Sequence, residues 1–122
     1  MKGKIIAIVV IVFLIGLAVF LALAPSKPGK LDGFATCIKD SGAIFYGAFW
    51  CPHCRDEKAL FGRSAKKLPY VECSTPDSNG QLKSCTDKGI KGYPTWDFKD
   101  GTRKAQVLSL EELASITGCK LP

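Results

Sequence analysis

The stretch Phe49-Trp50-Cys51-Pro52-His53-Cys54-Arg55 places two cysteines three positions apart, and this pair is where the chain can do chemistry. A C-x-x-C pair can help clip a metal, close a structural bridge or exchange electrons with other thiols. Its neighbours favour the last. An apolar run ends at Trp50 and a polar, helix-prone segment follows, so Cys51 falls at a strand-to-helix junction. A helix N-terminus offers unpaired N–H groups and about half a positive charge. Both favour a thiolate, the nucleophile of disulfide exchange. Cys54 lies one helical turn on, within reach to close a bridge. Pro52 costs little at a helix start, where its missing N–H would go unpaired anyway. His53, the single histidine of the chain, can set positive charge beside the thiolate. Zinc would want four ligands, and Cys73 and Cys85 are too far apart to supply a second close pair, so no metal is expected. In the redox reading Cys51 attacks or is attacked first, Cys54 resolves the mixed disulfide, and the Cys51–Cys54 disulfide is itself the redox group, with no other cofactor. Trp50 is either core packing or a partly exposed aromatic that shields the sulfurs.

A second feature is Gly92-Tyr93-Pro94-Thr95, just ahead of a strand-like segment. If Pro94 follows a cis peptide bond, the chain turns sharply and exposes the Tyr93 backbone beside the cysteines. An extended substrate could then pair with Tyr93 and Pro94 as an added strand. Four cysteines remain. Cys73 and Cys85 bracket a segment rich in turn residues, and closing that loop restricts the unfolded chain, so they are expected to form a structural disulfide. Cys37 with Cys119 is the pairing then left, one of three connectivities open to four cysteines.

These residues need elements to hold them. Leu31, Phe34, Ala35 and Ile38 recur at helical spacing, which predicts a helix over 31–40. Ala43–Trp50 (AIFYGAFW) is apolar, aromatic and short, and reads as a buried central strand. Helical spacing returns over Cys54–Lys67, with Ala59, Leu60 and Ala65 available for one face. Tyr70–Cys73 is a second strand, Ser74–Gly80 a loop, and Gln81–Lys88 a short helix. Thr95–Phe98 alternates like a strand, Asp100-Gly101 is a hairpin signal, and Thr102–Leu108 is the returning strand. Ser109-Leu110-Glu111-Glu112 has capping-box spacing and opens a last helix that Gly118 stops. The pattern is α/β: a parallel βαβ unit, an antiparallel hairpin and a closing helix, giving a four-stranded mixed sheet flanked by helices.

The chain has 122 residues, a formal net charge of +6 and six cysteines. Ile5 to Ala24 is an uncharged apolar run. As a helix rising about 1.5 Å per residue it spans roughly 30 Å, a bilayer core. Signal-peptide cores are shorter, at about 7–15 residues. Ala22-Leu23-Ala24 looks like a cleavage site, but Pro25 follows it directly and makes a poor bond for a peptidase. Residues 1–24 are therefore read as a single transmembrane anchor, 25–30 as a linker and 31–122 as one small domain. Six cysteines suggest an oxidising compartment. This puts the N-terminus in the cytoplasm and the domain on the extracytoplasmic side, whether periplasmic, extracellular or lumenal. No basic cluster interleaves with aromatics, so nucleic acid is not an expected partner.

With WCPHC and GYPT in place, residues 31–119 resemble the thioredoxin superfamily. More narrowly they are similar to the thioredoxin-like domains fused to, or partnered with, bacterial and plant vitamin K epoxide reductase (VKOR) homologues. FATC at 34–37, FYGAFWCPHC at 45–54, VECSTPD at 71–77, Cys85, GIKGYPTWDF at 89–98, Asp100-Gly101 and Gly118-Cys119 carry the resemblance, and DsbA-type oxidases share the CPHC core. The resemblance implies a thioredoxin-like fold and a thiol oxidase that passes disulfides to thiol-containing exported proteins. Re-oxidation by a quinone-linked, VKOR-like or DsbB-like membrane partner is implied too, yet here a single anchor stands where that partner would be fused. A reductase or isomerase fed by a membrane electron donor is the alternative in the same class. A disulfide-stapled binding module with an inert pair is the alternative outside it. Thioredoxins usually carry a buried acid six positions before the first cysteine, and this chain has Phe45 there. The proton of Cys54 then needs water or another group, Glu72 or Glu57.

Overall fold

The computed structural model describes every residue from Met1 to Pro122. Helix α1, Lys2–Leu23, is apolar on all sides from Ile5 onward and buries none of its side chains. It is long and apolar enough to cross a membrane, and a signal sequence would pass the same test. The remaining elements are α2 (Asp32–Asp40), β1 (Ile44–Gly47), α3 (Pro52–Phe61), a 3-10 turn over Gly62–Lys67, β2 (Tyr70–Glu72), α4 (Lys83–Thr86), β3 (Thr95–Asp97), β4 (Arg103–Lys104) and α5 (Leu110–Thr117).

The strands form one mixed sheet in the order β2-β1-β3-β4. β1 runs parallel to β2 and antiparallel to β3, which pairs antiparallel with β4. Successive side chains of a strand point to opposite faces, and β1 uses both. Phe45 enters the main core, stacked on Trp96 at 4.7 Å and edge-on to Tyr70 at 5.2 Å. Tyr46 enters a smaller cluster with Cys73, Cys85 and Ile90 on the other face. The main core adds Phe34, Ala35 and Ile38 of α2, Phe61 of α3 and Leu113 of α5. α5 has the capping box its sequence predicts: Glu112 N–H donates to Ser109 Oγ at 3.1 Å, and Ser109 N–H to Glu112 Oε2 at 2.8 Å. Gly118 ends it with φ 74°, where a side chain would be strained.

Several elements differ from the sequence reading. The central strand stops at Gly47, and Phe49 and Trp50 are exposed in the turn before α3. α3 starts at Pro52 and breaks at Gly62, and it buries Cys54, Glu57 and Phe61 instead of Ala59 and Leu60. Burying Glu57 moves the inward face by about half a turn, which an apolar-periodicity argument cannot foresee. α4 is shorter than Gln81–Lys88 because its first residues are held elsewhere: Gln81 bridges Ser74, and Leu82 N–H donates to Cys73 O at 2.7 Å. The returning strand keeps only Arg103 and Lys104. Beyond them the chain leaves the sheet and brings Leu108 N–H to the buried Glu57 carboxylate, 2.9 Å away.

Candidate active site

Cys51 is the N-cap of α3 and Pro52 follows at its first turn. Cys51 N–H donates to Ala48 O at 3.0 Å, which turns the chain from β1 into the helix. Cys51 thus stands at the end of α3 where helix N–H groups are left unpaired, although its sulfur takes no hydrogen bond from them. Both cysteines are free thiols and both are nearly buried, 5% exposed for Cys51 and 1% for Cys54. Cys51 is the more exposed of the two. The Cys54 thiol is pushed up to about 12, chiefly by burial, with Cys51 adding to the rise while the Ala48 backbone and Lys58 oppose it.

The Tyr93–Pro94 bond is cis, and the Tyr93 carbonyl stands beside Cys51. Cys51 Sγ donates to Tyr93 O at 3.6 Å. The Tyr93 hydroxyl is held by Gln81 Nε2, which donates at 2.6 Å and also reaches Ile90 O. Trp50 is half-exposed; its indole N–H donates to Ser74 Oγ at 2.8 Å, and its ring meets Tyr93 edge-on at 6.0 Å. Trp50 is thus a rim group beside the sulfurs, not core packing. His53 is exposed, with Nδ1 3.9 Å from Asp56 Oδ2. That carboxylate offsets part of any charge His53 lends the pair. Cysteines 37 and 119 are joined, with Cα atoms 5.9 Å apart, as are Cys73 and Cys85 at 5.6 Å. The first bridge ties α2 to the chain beyond α5. The second ties the end of β2 to α4, behind the Tyr93 turn.

Position 45 holds no acid, yet the domain does bury one. Glu57 is wholly buried on α3, and burial raises its carboxyl to about 7, against the opposing effects of the Leu108 N–H and Trp96 and with a further rise from Glu112. Glu72 sits on β2, where Oε1 accepts from Phe49 N–H (3.2 Å) and Ser74 N–H (2.9 Å), and Oε2 from the Tyr70 hydroxyl (2.8 Å). Lys58 Nζ stands 3.4 Å over the Tyr70 ring. Tyr70, Lys58 and Gly47 are site neighbours that the sequence reading did not single out. Their one signal was position: Lys58 four residues past Cys54, Gly47 at the end of the central strand, and Tyr70 at the start of its parallel neighbour.

A four-stranded mixed sheet, a free C-x-x-C at the head of α3 and a cis-proline turn facing it decide the architecture. The domain has the thioredoxin-like fold. No family model matches the chain. The chain is 47% identical over 85 residues to thiol-disulfide oxidoreductase LTO1 of Arabidopsis thaliana, a match covering 66% of this chain and 22% of that protein. It is 32% identical over 83 residues to a protein disulfide-isomerase of Aspergillus oryzae, covering 61% of this chain and 16% of that one. The chain thus matches less than a quarter of the length of these curated relatives. Among solved structures, oxidised thioredoxin O2 from Arabidopsis thaliana aligns with a TM-score of 0.39 at 19% identity, over 75% of this chain and 89% of that one.

Proposed function

We propose that the chain is a membrane-anchored thiol–disulfide oxidoreductase working as an oxidase, which donates disulfides to exported proteins. The observation that carries this reading is the free Cys51–Cys54 pair at the open N-terminus of α3, with Tyr93 O against Cys51 Sγ. In its oxidised form a substrate thiolate attacks Cys51 Sγ. The Cys51–Cys54 bond breaks, its electron pair leaves on Cys54, and substrate and Cys51 are joined in a mixed disulfide. A second substrate thiolate attacks the substrate sulfur, forms the substrate disulfide and releases Cys51 as a thiolate. Two electrons have then moved from a substrate dithiol to the pair.

The oxidising strength of the pair follows the stability of its reduced form relative to the disulfide; each tenfold in that equilibrium is about 30 mV. Re-oxidation falls to a quinone-linked membrane protein of VKOR-like or DsbB-like kind, reached by a domain that α1 holds at the membrane on the extracytoplasmic side. Tyr93, Pro94 and Trp50 form the ledge on which an extended substrate docks. A second reading, a disulfide isomerase or reductase, is favoured by the name of the Aspergillus relative.

The test is the in-cell state of the pair, trapped by acid quench and alkylation, together with oxidation of a reduced, unfolded protein by the full chain in detergent micelles. A mostly oxidised pair that transfers its disulfide supports the oxidase. A mostly reduced pair transfers the assignment to the reductase or isomerase, and inert thiols would leave a stapled binding module.

A further inference from the structure

The resolving sulfur, Cys54, has no carboxylate or imidazole in contact with it, yet its chemistry needs a proton at each turnover. A thiol pushed up to about 12 by burial is a poor leaving group, because departure slows as the leaving thiol's pKa rises. It leaves readily only when a proton arrives as the S–S bond breaks. Resting on the oxidoreductase reading above, we propose that Tyr70 and Glu72 form the proton path of Cys54: the Tyr70 hydroxyl protonates the departing Cys54 sulfur, and Glu72 resupplies the phenol from solvent.

The geometry begins at Gly47. A Cβ at that position would stand 2.9 Å from Cys54 Sγ, 3.3 Å from the Tyr70 hydroxyl and 2.7 Å from the Tyr70 ring. The thiol and the phenol therefore border the same space, which any side chain at position 47 would close. From the hydroxyl the path is explicit. Tyr70 donates to Glu72 Oε2 at 2.8 Å, and Glu72, on the half-buried strand β2, reaches the surface. Its other oxygen is pinned by the Phe49 and Ser74 N–H groups, which keeps Oε2 turned to the phenol. Tyr70 stays protonated across the working range, its acidity suppressed first by burial, then by Glu72, and then by the two cysteine sulfurs. It can thus serve only as a relay that gives one proton and takes another.

The other charged groups around Cys54 fit less well. Glu57 is on the same helix, but Oε2 accepts from Leu108 N–H, and its charged neighbour is Glu112. Lys58 lies over the face of the Tyr70 ring and favours the Cys54 thiolate, but makes no hydrogen bond to the phenol or the sulfur. His53, Arg55 and Asp56 are exposed on the outer side of α3. The step balances: the attacking thiol gives its proton to solvent, the S–S electron pair goes to Cys54, one proton moves from Tyr70 to sulfur, one from Glu72 to Tyr70, and the solvent proton returns to Glu72.

The test is the rate at which dithiothreitol reduces the Cys51–Cys54 disulfide of the full chain in micelles, followed by acid quench and alkylation from pH 5 to 9. Tyr70→Phe removes only the hydroxyl. It is expected to slow the reaction on the order of a hundredfold at pH 7, the low end for positioned proton transfer. Added imidazole, a diffusible proton carrier, should restore most of the rate. Glu72→Gln should show the same rescue. A Tyr70→Phe rate within about twofold of the parent, or a slow rate that imidazole leaves unchanged, overturns the relay while the parent's exchange still stands. A parent chain that exchanges with no thiol at all overturns the oxidoreductase reading, and the relay with it.

Discussion

Replacing Glu57 by Gln should remove a pH dependence from the stability of the domain. The side chain is wholly buried and Oε2 accepts one N–H from Leu108, while Oε1 and the buried Trp96 indole N–H make no hydrogen bond of good geometry, so Trp96 opposes the rise of the carboxyl without pairing with it. One hydrogen bond does not repay the desolvation of a carboxylate. Its pKa rises from an ordinary 4.5 to about 7. At about 1.4 kcal/mol per tenfold change in proton affinity, that is roughly 3 kcal/mol. Between about 4.5 and 7 the native state keeps this proton while the unfolded chain has lost it. The native state therefore binds more protons, and stability falls as pH rises through that window and levels off above it. Glutamine mimics the protonated acid in shape and keeps an acceptor for Leu108, but it cannot ionise. Urea unfolding of the full chain in micelles, both structural disulfides intact and near-ultraviolet dichroism as the signal, should find parent and variant nearly equal at pH 4.5. At pH 8 the variant should be more stable by up to about 3 kcal/mol. A parent whose stability is flat or rises between pH 5 and 7, or a variant less stable at pH 8, would falsify the argument, because either means that the ionised carboxylate is well paired.

Three further outcomes are expected. His53→Ala should make the pair more reducing, read by equilibration with glutathione. Exposure of His53 and the nearby Asp56 hold the change to about one tenfold step, or roughly 30 mV, and an unmoved potential would remove His53 from the site. Joint replacement of Cys73 and Cys85 by Ala should cost roughly 3 kcal/mol in denaturant unfolding, the loop-closure value for a bridge of sequence separation 12; a change below about 1 kcal/mol would show that the unfolded chain is not constrained by it. Mass spectrometry of membrane-extracted protein should find the α1 residues still attached, whereas a chain starting at Pro25 would make that helix a cleaved signal.

Much of the fold was legible from local chemistry. An unbroken apolar run with no polar face makes a helix that no soluble core can bury. Ser109 and Glu112 cap α5 because both halves of the box lie within one turn. Cys51 falls at the head of α3 because an aromatic strand ends just before a proline. Local sequence could also name Glu57 and Glu72 as candidates for the proton of Cys54, but it could not choose between them. That choice depends on where two carboxylates point, which contacts between distant segments decide. The departure of the chain after β4 carries Leu108 N–H, fifty-one positions away, onto Glu57 and commits that acid to the core. The parallel pairing of β1 with β2 sets Gly47 opposite Glu72 and brings Tyr70 to the space that Gly47 leaves beside the Cys54 sulfur. The helix ends differ from expectation for the same reason: periodicity reports which side chains are apolar, while packing decides which are buried, and here it buried a glutamate and left Phe49, Trp50 and Leu60 at the surface.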